Sequence, residues 1–189
     1  DGVNTAYSAI KNIANVKITT WMIVPRHPQR FDAVAQLIES QGFKVSRRSQ
    51  WSVDAMGNLQ READDNTILL GDSLGEMALY YGMTDVALLG GSFEPLGGQN
   101  LIEAAACGCP VVMGPSVFNF AEAAQLSLQA GAAVQVDDMQ LAVQAACGMV
   151  HNREALQGAQ EAALAFAKAH QGAAVKTADA IVKLLHQRH

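Results

Sequence analysis

The chain has 189 residues, which is enough for one well-buried domain but cramped for two. Half of the residues are hydrophobic and the net charge is −5, so the chain can build a core but lacks the basic face that nucleic-acid-binding domains usually need. No apolar run reaches the roughly 18–20 residues that a membrane span requires, and no signal peptide is predicted. We therefore expect the chain itself to be soluble.

Short β-rich runs alternate with helical patterns in the first third of the chain. The stretch at 16–24, which is near-continuously apolar toward its end, predicts a strand that is covered on both faces. Residues 30–42 place apolar side chains on one helical face and stop at Gly42. Residues 43–47 predict a second strand, and the polar stretch 49–66 predicts a long loop.

The same alternation continues through the rest of the chain. From Asp137 to the end the pattern is almost wholly helical, with Gly148, Gly158 and Gly172 as the expected breaks between three terminal helices. The alternation predicts an α/β fold in which a parallel sheet carries helices on both faces, within one domain over 1–189. Strands are predicted at 67–71, 86–91, 110–114 and 132–136, and helices at 98–107 and 119–131.

The three cysteines, Cys107, Cys109 and Cys147, cannot all pair with one another. Their apolar or small-residue surroundings predict buried, reduced thiols. A Cys-x-Cys pair without nearby histidines is a weak metal signal, so we expect neither a metal site nor a cofactor.

In open parallel sheets, ligands bind beyond the carboxyl ends of the strands. The first such junction here is VPRHPQRF, in which Pro25 keeps the backbone extended and Arg26 is placed to grip a phosphate or carboxylate. A surface salt bridge is an equally good interpretation of Arg26. His27 more often satisfies a local hydrogen bond than it contacts a ligand.

The second junction is GDSLGEM. Ser73 and Glu76 have the spacing of a capping box, in which the two side chains satisfy the first free N–H groups of a helix. Gly75 would also let a ligand approach the exposed backbone closely. The junction therefore fits both a structural and a binding interpretation.

The third junction is the stretch GGSFEPLGGQNLIEAAACGCPVVMGP. Gly97 and Gly98 can take positive φ and leave the amides of Gln99 and Asn100 at a helix start, which suits phosphate. Glu103 lies one turn further on and could accept hydrogen bonds from the two hydroxyls of a ribose. The structural alternative is a glycine turn with a glutamate that complements the helix dipole. The G-x-G-x-x-G fingerprint and a Walker A lysine are both absent, so the pattern favours a single nucleotide in an unusual place.

These residues resemble the GT-B glycosyltransferases, and more closely the 3-deoxy-D-manno-octulosonic acid (Kdo) transferases of lipopolysaccharide biosynthesis. The resemblance is carried, in order, by VPRHPQRF, GDSLGEMALYYGMTDVALLGGSF, GGQNLIEAAACGCPVVMGP and FNFAEAAQL, over about residues 16–138. It implies a Rossmann-like C-terminal, donor-binding half of the enzyme, with residues 137–189 as its terminal helices. It also implies inverting transfer of Kdo from CMP-Kdo to a lipid A precursor, without a metal, at the cytoplasmic face of the bacterial inner membrane.

The family's CMP contacts carry over to three segments of this chain. Arg26 and the helix-start amides would hold the phosphate, Glu103 the ribose, and the backbone around Leu74 the rest of the site. The complete set that the resemblance and the glycine loop imply is Pro25, Arg26, Leu74, Gly75, Glu76, Gly97, Gly98, Gln99, Asn100, Leu101, Ile102 and Glu103.

The chain departs from the family in two respects. Gln99 stands where the family often has histidine, which puts any ionic role at that position in doubt. The N-terminal domain that binds the acceptor and carries the general base is expected to lie outside this chain, so no catalytic residue is assigned. We expect the chain alone to bind nucleotide weakly and transfer nothing, and to expose an apolar patch where the other domain would pack.

Two other functions fit the same residues. The chain could belong to another GT-B transferase or an epimerase that uses a UDP- or GDP-sugar, because the motifs do not reveal which base is bound. It could also be a non-catalytic nucleotide-binding module.

Overall fold

A computed structural model of the protein describes residues 20–56, 59–61 and 64–170. Within these residues the chain forms six α-helices, eight strands and short 3-10 turns. The strands are β1 Met22–Ile23, β2 Lys44–Arg47, β3 Ser52–Val53, β4 Leu59–Gln60, β5 Thr67–Leu70, β6 Ala87–Leu89, β7 Val111–Met113 and β8 Ala133–Gln135. The helices are α1 Phe31–Ser40, α2 Met77–Gly82, α3 Leu101–Ala106, α4 Ala121–Gln129, α5 Met139–His151 and α6 Arg153–His170.

Two parallel sheets form the centre of the fold. One has the strand order β1-β5-β2, and the other has the order β6-β7-β8. Strands β5 and β7 lie in the middle of their sheets and are buried throughout, which explains their uninterrupted apolar sequences. The α/β class and the parallel pairing predicted from the alternation of patterns are confirmed.

Helix α5 packs against residues from both sheet regions. Its buried side chains Val143 and Cys147 contact Trp21, just before β1, and Leu88 of β6. The first sheet has its own core against α1, built around Ile38 and Leu70, both fully buried. One α-helix therefore contacts residues next to both sheets.

Small side chains let α3 and α6 approach closely. Ala104 and Ala105 of α3 are buried in the same cluster as Ala163 and Phe166 of α6. The alanine-rich composition thus builds closely packed helices, and it places the start of α3 at the carboxyl edge of the second sheet.

The terminal helices break at a different place from the one predicted. Gly148 lies inside α5 and Gly158 inside α6, and the chain turns instead at Asn152, where the backbone is extended. The side chain of Asn152 accepts a hydrogen bond from the amide of Ala155 at 3.1 Å, so asparagine starts the next helix while the glycines are tolerated within the helices. The third predicted break, Gly172, and residues 16–19 of the first predicted strand lie outside the described residues.

The predicted long loop at 49–66 also proved wrong in part. It contains the rest of a 3-10 turn, Arg48–Gln50, and the antiparallel hairpin of β3 and β4. Each of its strands has only two residues, and both Ser52 and Val53 are exposed, so the hairpin shows no buried alternation that a sequence pattern could reveal.

The cysteines are free thiols, with Cys109 and Cys147 buried and Cys107 partly exposed. Burial raises the pKa of Cys109 to about 12, which keeps this thiol protonated. Among the described residues no cluster of side chains is suited to a metal ion. Nor is any helix in the described part of the chain both long and apolar enough to cross a membrane.

Candidate functional site

The first two predicted junctions lie side by side at the edge of the β1-β5-β2 sheet. The amide of Gly71, which follows β5, donates to the carbonyl of Ile23 in β1 at 2.8 Å. A side chain at Gly71 would have its Cβ 2.9 Å from Val24 and 2.9 Å from the ring of Tyr80. Glycine at this position therefore lets the loop after β5 pass close to the Pro25–Arg26 segment.

Arg26 is exposed beyond the end of β1. It makes no ion pair or hydrogen bond with any residue in the described part of the chain, so the predicted alternative of a surface salt bridge is not seen there. His27 is also exposed and precedes the 3-10 turn Pro28–Arg30 without capping it through its side chain. The guanidinium of Arg26 is thus accessible to an anionic ligand.

The capping box predicted at the second junction does not form. Helix α2 begins at Met77 with Glu76 as its N-cap, and no side chain caps it. The Ser73 hydroxyl donates instead to Oε2 of Glu76 and also bonds the hydroxyl of Tyr80. Ser73 and Glu76 therefore hydrogen-bond to each other and not to the amides at the helix start. Glu76 also forms an ion pair.

That ion pair comes from Arg48, which the sequence analysis did not single out. Arg48 Nη2 donates to Glu76 Oε1 at 2.7 Å. The neighbouring Ser49 donates to Asp72 through both its amide, at 2.8 Å, and its hydroxyl, at 2.7 Å. The segment after β2 therefore holds the loop after β5 at two points.

The loop itself leaves its backbone open. Gly75 has φ +77°, and a Cβ there would meet nothing within 4 Å. Within the described part of the chain, the amides of Ser73, Leu74, Gly75 and Glu76 donate no hydrogen bond. These amides are available to an anion, as the glycine at this junction suggested.

The third junction is a tight glycine turn. Gly97 and Gly98 have φ +80° and +81°, the left-handed region that the sequence analysis expected. Gly97 is packed against Phe118 and Asn119, and its amide donates to Ser116 Oγ at 3.1 Å. Gln99 lies beside Gly91, where a Cβ would be 3.6 Å from the Gln99 side chain. The turn thus packs the loop after β6 onto the loop after β7.

Helix α3 begins at Leu101, three residues later than predicted, because Asn100 caps it. Asn100 Oδ1 accepts from the amide of Ile102 at 3.1 Å, while its Nδ2 donates to Glu103 Oε1 at 2.9 Å. Leu101 is buried and Ile102 is half-buried, so these two anchor the helix start in the core. In the part of the chain that the structure describes, the amides of Gly98, Gln99, Asn100 and Leu101 donate no hydrogen bond.

Glu103 is exposed and faces α2 as well as the helix start. Burial and then the negative charge of Glu103 raise the pKa of Tyr81 to about 12. A second contact joins the two helices, because the Cys107 thiol donates to the carbonyl of Ala78 at 3.6 Å. The helices that follow the second and third junctions therefore lie side by side, and the two junctions belong to one edge.

Ser92 holds the carboxyl ends of β6 and β7 together and was missed by the sequence analysis. Its side chain is fully buried, donates to the carbonyl of Leu89 at 2.5 Å and accepts from the amide of Gly114 at 2.7 Å. Its carbonyl accepts from the amide of Ser116 at 2.9 Å. A single serine in a glycine-rich loop gives little sign of such a role in a sequence.

Strongly exposed apolar side chains stand in the loops after three strands of this edge. Leu74, Leu96 and Phe118 are 69%, 64% and 66% exposed. They fit the expectation of apolar surface next to the site, and the packing of another domain against them stays a prediction.

Parallel sheets between helices, with glycine-rich loops at their carboxyl edge, define a Rossmann-like α/β fold, and the comparison with a solved structure identifies it as the C-terminal domain of a GT-B glycosyltransferase. It is similar to the crystal structure of the C-terminal CMP-Kdo binding domain of WaaA from Acinetobacter baumannii, with 28% identity, a TM-score of 0.74, and coverage of 87% of this chain and 82% of that one. It is also 44% identical over 160 residues, 85% of its length, to the 3-deoxy-D-manno-octulosonic acid transferase of Bordetella pertussis. The transferase of the same name from Haemophilus influenzae is 35% identical over 142 residues. The chain belongs to the Kdo transferase family.

The chain spans about a third of the curated transferases that it matches, 36% of the Bordetella protein and 31% of the Haemophilus protein. No protein-family model matches the chain.

Proposed function

We propose that this chain is the donor-binding domain of a Kdo transferase and binds the CMP part of CMP-Kdo. The observation that carries the proposal is one edge of the fold at which an accessible arginine, two loops with unbonded amides and an exposed glutamate come together. Similarity to a CMP-Kdo binding domain and to Kdo transferases supports the same ligand.

The phosphate would bind between Arg26 and the open backbone of the loops. Arg26 offers a guanidinium with no partner among the described residues. The unbonded amides at 73–76 and 98–101 offer donors that suit phosphate oxygens. Pro25 keeps the start of the first loop extended, and the positive φ of Gly75 and Gly98 exposes the amides of the other two.

The ribose would bind to Glu103. One oxygen of this carboxylate accepts from Asn100, which fixes its orientation, and the other oxygen accepts from no residue in the described part of the chain. A carboxylate has about four acceptor positions, so Glu103 can accept from both ribose hydroxyls without losing Asn100. Gln99, close to Gly91, would supply neutral hydrogen-bonding groups where the family often has histidine.

The activity of the whole protein extends the proposal beyond this chain. A Kdo transferase would pass Kdo from CMP-Kdo to a lipid A precursor at the cytoplasmic face of the inner membrane. The acceptor site and the general base would come from a region that the chain does not contain. We therefore expect the chain alone to bind CMP without transferring Kdo. The similarity to transferases favours this function over a non-catalytic nucleotide-binding module.

The choice of nucleotide is tested by the thermal stability of the chain with CMP, UMP, UDP or GDP. A ligand that binds only the folded state raises the melting temperature with its concentration. We expect CMP to stabilise the chain most. Stabilisation by UDP or GDP but not by CMP would contradict the proposal and favour another GT-B donor.

The ribose contact is tested by Glu103→Ala. Losing hydrogen bonds to a charged group should weaken CMP binding by about 1–3 kcal/mol in titration calorimetry. Glu122→Ala is the matched control, because Glu122 is also an exposed glutamate in the first turn of a helix. If both variants bind CMP like the wild type, Glu103 only complements the helix dipole.

The phosphate contact is tested by Arg26→Ala with CMP and cytidine as ligands. The variant should lose more affinity for CMP, because cytidine lacks the phosphate. Arg30→Ala, which removes an exposed arginine of the neighbouring 3-10 turn, is the control. Equal losses for the two ligands would show that Arg26 does not bind phosphate.

A further inference from the structure

We propose that Arg48 is a positioning residue of the donor site, acting through Glu76 on the loop that receives the nucleotide. The inference rests on the proposed function, because the loop at 73–76 is one wall of the proposed CMP site. Arg48 itself follows the edge strand β2, and among the described residues it is joined to the loop through Glu76, next to the Ser49–Asp72 contact.

The Arg48 guanidinium is fixed by contacts with Trp51 and with Glu76. It lies over the ring of Trp51, 5.7 Å from the ring centroid, and donates to Glu76 at 2.7 Å. Trp51 is fixed in turn, because its indole Nε1 donates to the buried Ser46 hydroxyl at 2.9 Å. The chain also buries the Nε of Arg48 without any hydrogen-bond partner among the described residues. A buried donor without an acceptor costs stability. The guanidinium therefore keeps its contacts with Glu76 and Trp51 even though this orientation leaves Nε without a hydrogen bond.

The contacts on the loop side use the whole carboxylate of Glu76. One oxygen accepts from Arg48 and the other from the Ser73 hydroxyl, which also bonds Tyr80, a buried residue of α2. The loop from Ser73 to Glu76 is therefore tied at both ends. Arg48 and Ser49 together form what we call the clasp, defined by the Arg48–Glu76 and Ser49–Asp72 contacts.

The clasp matters because, apart from the Ser73–Tyr80 contact and an ion pair between Arg47 and Asp72, the loop has little other support. Its amides donate no hydrogen bond to any part of the chain that the structure describes, and Leu74 is strongly exposed. Gly75 adds conformational freedom, because even a Cβ at this position would have no neighbour within 4 Å. Ordering such a loop before the ligand arrives reduces the entropy lost on binding.

Charge gives the ion pair a second effect. The proposed donor carries a phosphate and a sugar carboxylate, and an unpaired Glu76 at the loop would repel both. Arg48 neutralises this carboxylate, and the two side chains are only 21% and 30% exposed, so solvent screens the pair incompletely. Removing Arg48 would both release the loop and leave a negative charge beside the ligand.

The test uses five variants of the chain: Arg48→Met, Arg48→Lys, Glu76→Gln, the double variant of Arg48→Met with Glu76→Gln, and Arg61→Met as a control. Arg61 lies over the same Trp51 ring, 5.8 Å from its centroid, so the control removes an equal charge from the same surface. The 15N order parameters of the backbone amides at 73–76 measure the order of the loop without ligand, because they do not depend on these amides being hydrogen-bonded. Titration with CMP measures affinity.

We expect Arg48→Met to lower the order parameters at 73–76, leave those of α1 unchanged, and weaken CMP binding about tenfold. In the Glu76→Gln background the same substitution should weaken binding by less than about threefold, because Arg48 acts through Glu76. Arg48→Lys should recover part of the affinity, since it keeps the charge but not the planar stack on Trp51.

Three results would overturn the inference. These are unchanged order parameters at 73–76 in Arg48→Met, an equal effect of Arg61→Met on CMP affinity, and effects of Arg48→Met and Glu76→Gln that simply multiply. Failure of the wild-type chain to bind CMP would instead refute the proposed function. The order parameters are measured without ligand, so they report on the clasp in either case.

Discussion

Ser92→Ala should destabilise the fold and loosen the donor site, although the residue touches no ligand in the proposed complex. The substitution removes one oxygen atom and leaves the size of the side chain almost unchanged. That oxygen links the end of β6, through the carbonyl of Leu89, to the buried amide of Gly114 after β7. The effect therefore reports hydrogen bonding rather than packing.

The expected loss in the free energy of unfolding follows from the hydrogen bond that the amide of Gly114 would lose. The amide of Gly114 is buried and would have no acceptor, which costs about 1–3 kcal/mol. Water cannot easily replace Ser92, because a Cβ on Gly114 would already lie 2.5 Å from the Ser92 carbonyl oxygen and 2.7 Å from Phe93. We expect a loss of about 2 kcal/mol in the free energy of unfolding, which corresponds to a fall of roughly 4–8 °C in melting temperature for a chain of this size.

The assay is urea denaturation of Ser92→Ala beside Ser127→Ala. Ser127 is equally buried, but its hydroxyl only adds a 2.8 Å bond to the carbonyl of Ala124 within α4. That carbonyl keeps its ordinary helical partner when the hydroxyl is removed, so Ser127→Ala should cost less than about 0.5 kcal/mol. Equal destabilisation by the two substitutions would refute the assignment of Ser92 as the link between β6 and β7.

Two further predictions concern the glycine turn and the thiols. Gly97→Ala should lower the free energy of unfolding by about 1 kcal/mol more than Gly42→Ala, because both have positive φ but only a Cβ on Gly97 would overlap Asn119, which donates to the Leu96 carbonyl. Equal losses in urea denaturation would show that Asn119 moves freely. Iodoacetamide should label Cys107 in the native chain before Cys109 and Cys147, because those two are buried and burial raises the pKa of Cys109 to about 12. Peptide mass mapping that finds Cys109 labelled first would contradict this packing.

The sequence predicted those parts of the fold that depend on local chemistry. The glycines at 97 and 98 take positive φ, as the turn requires, and the buried strands β5 and β7 have the uninterrupted apolar sequences of parallel strands. The order of motifs was enough to predict the family. Each of these signals lies within one short segment of chain.

The parts that sequence analysis missed depend on contacts between distant segments. Ser73 and Glu76 have the spacing of a capping box, but Arg48, 28 positions before Glu76, competes for the carboxylate. The break at Asn152 was missed for a related reason, because glycines inside long helices resemble helix ends when packing is unknown. Hydrogen bonds between loops leave no periodic pattern, so neither Ser92 nor Arg48 could be recognised in advance.

The proposed site has two walls that are held in different ways. One is the glycine turn at 97–98 with the start of α3, and the other is the loop at 73–76. At the third junction, Gly97 and Gly98 are packed against the loop after β7, and Asn100 fixes Glu103 through the helix that it caps. The loop at 73–76 has no comparable packing and is held by Arg48, Ser49 and the hydroxyl of Tyr80. Substitutions in the first wall should therefore lower stability and affinity together, whereas loss of Arg48 should mainly lower affinity. Measuring the free energy of unfolding and the CMP affinity of Gly97→Ala and Arg48→Met tests this difference between the two walls. A loop whose order does not depend on the core can lose affinity for its ligand without lowering the stability of the domain.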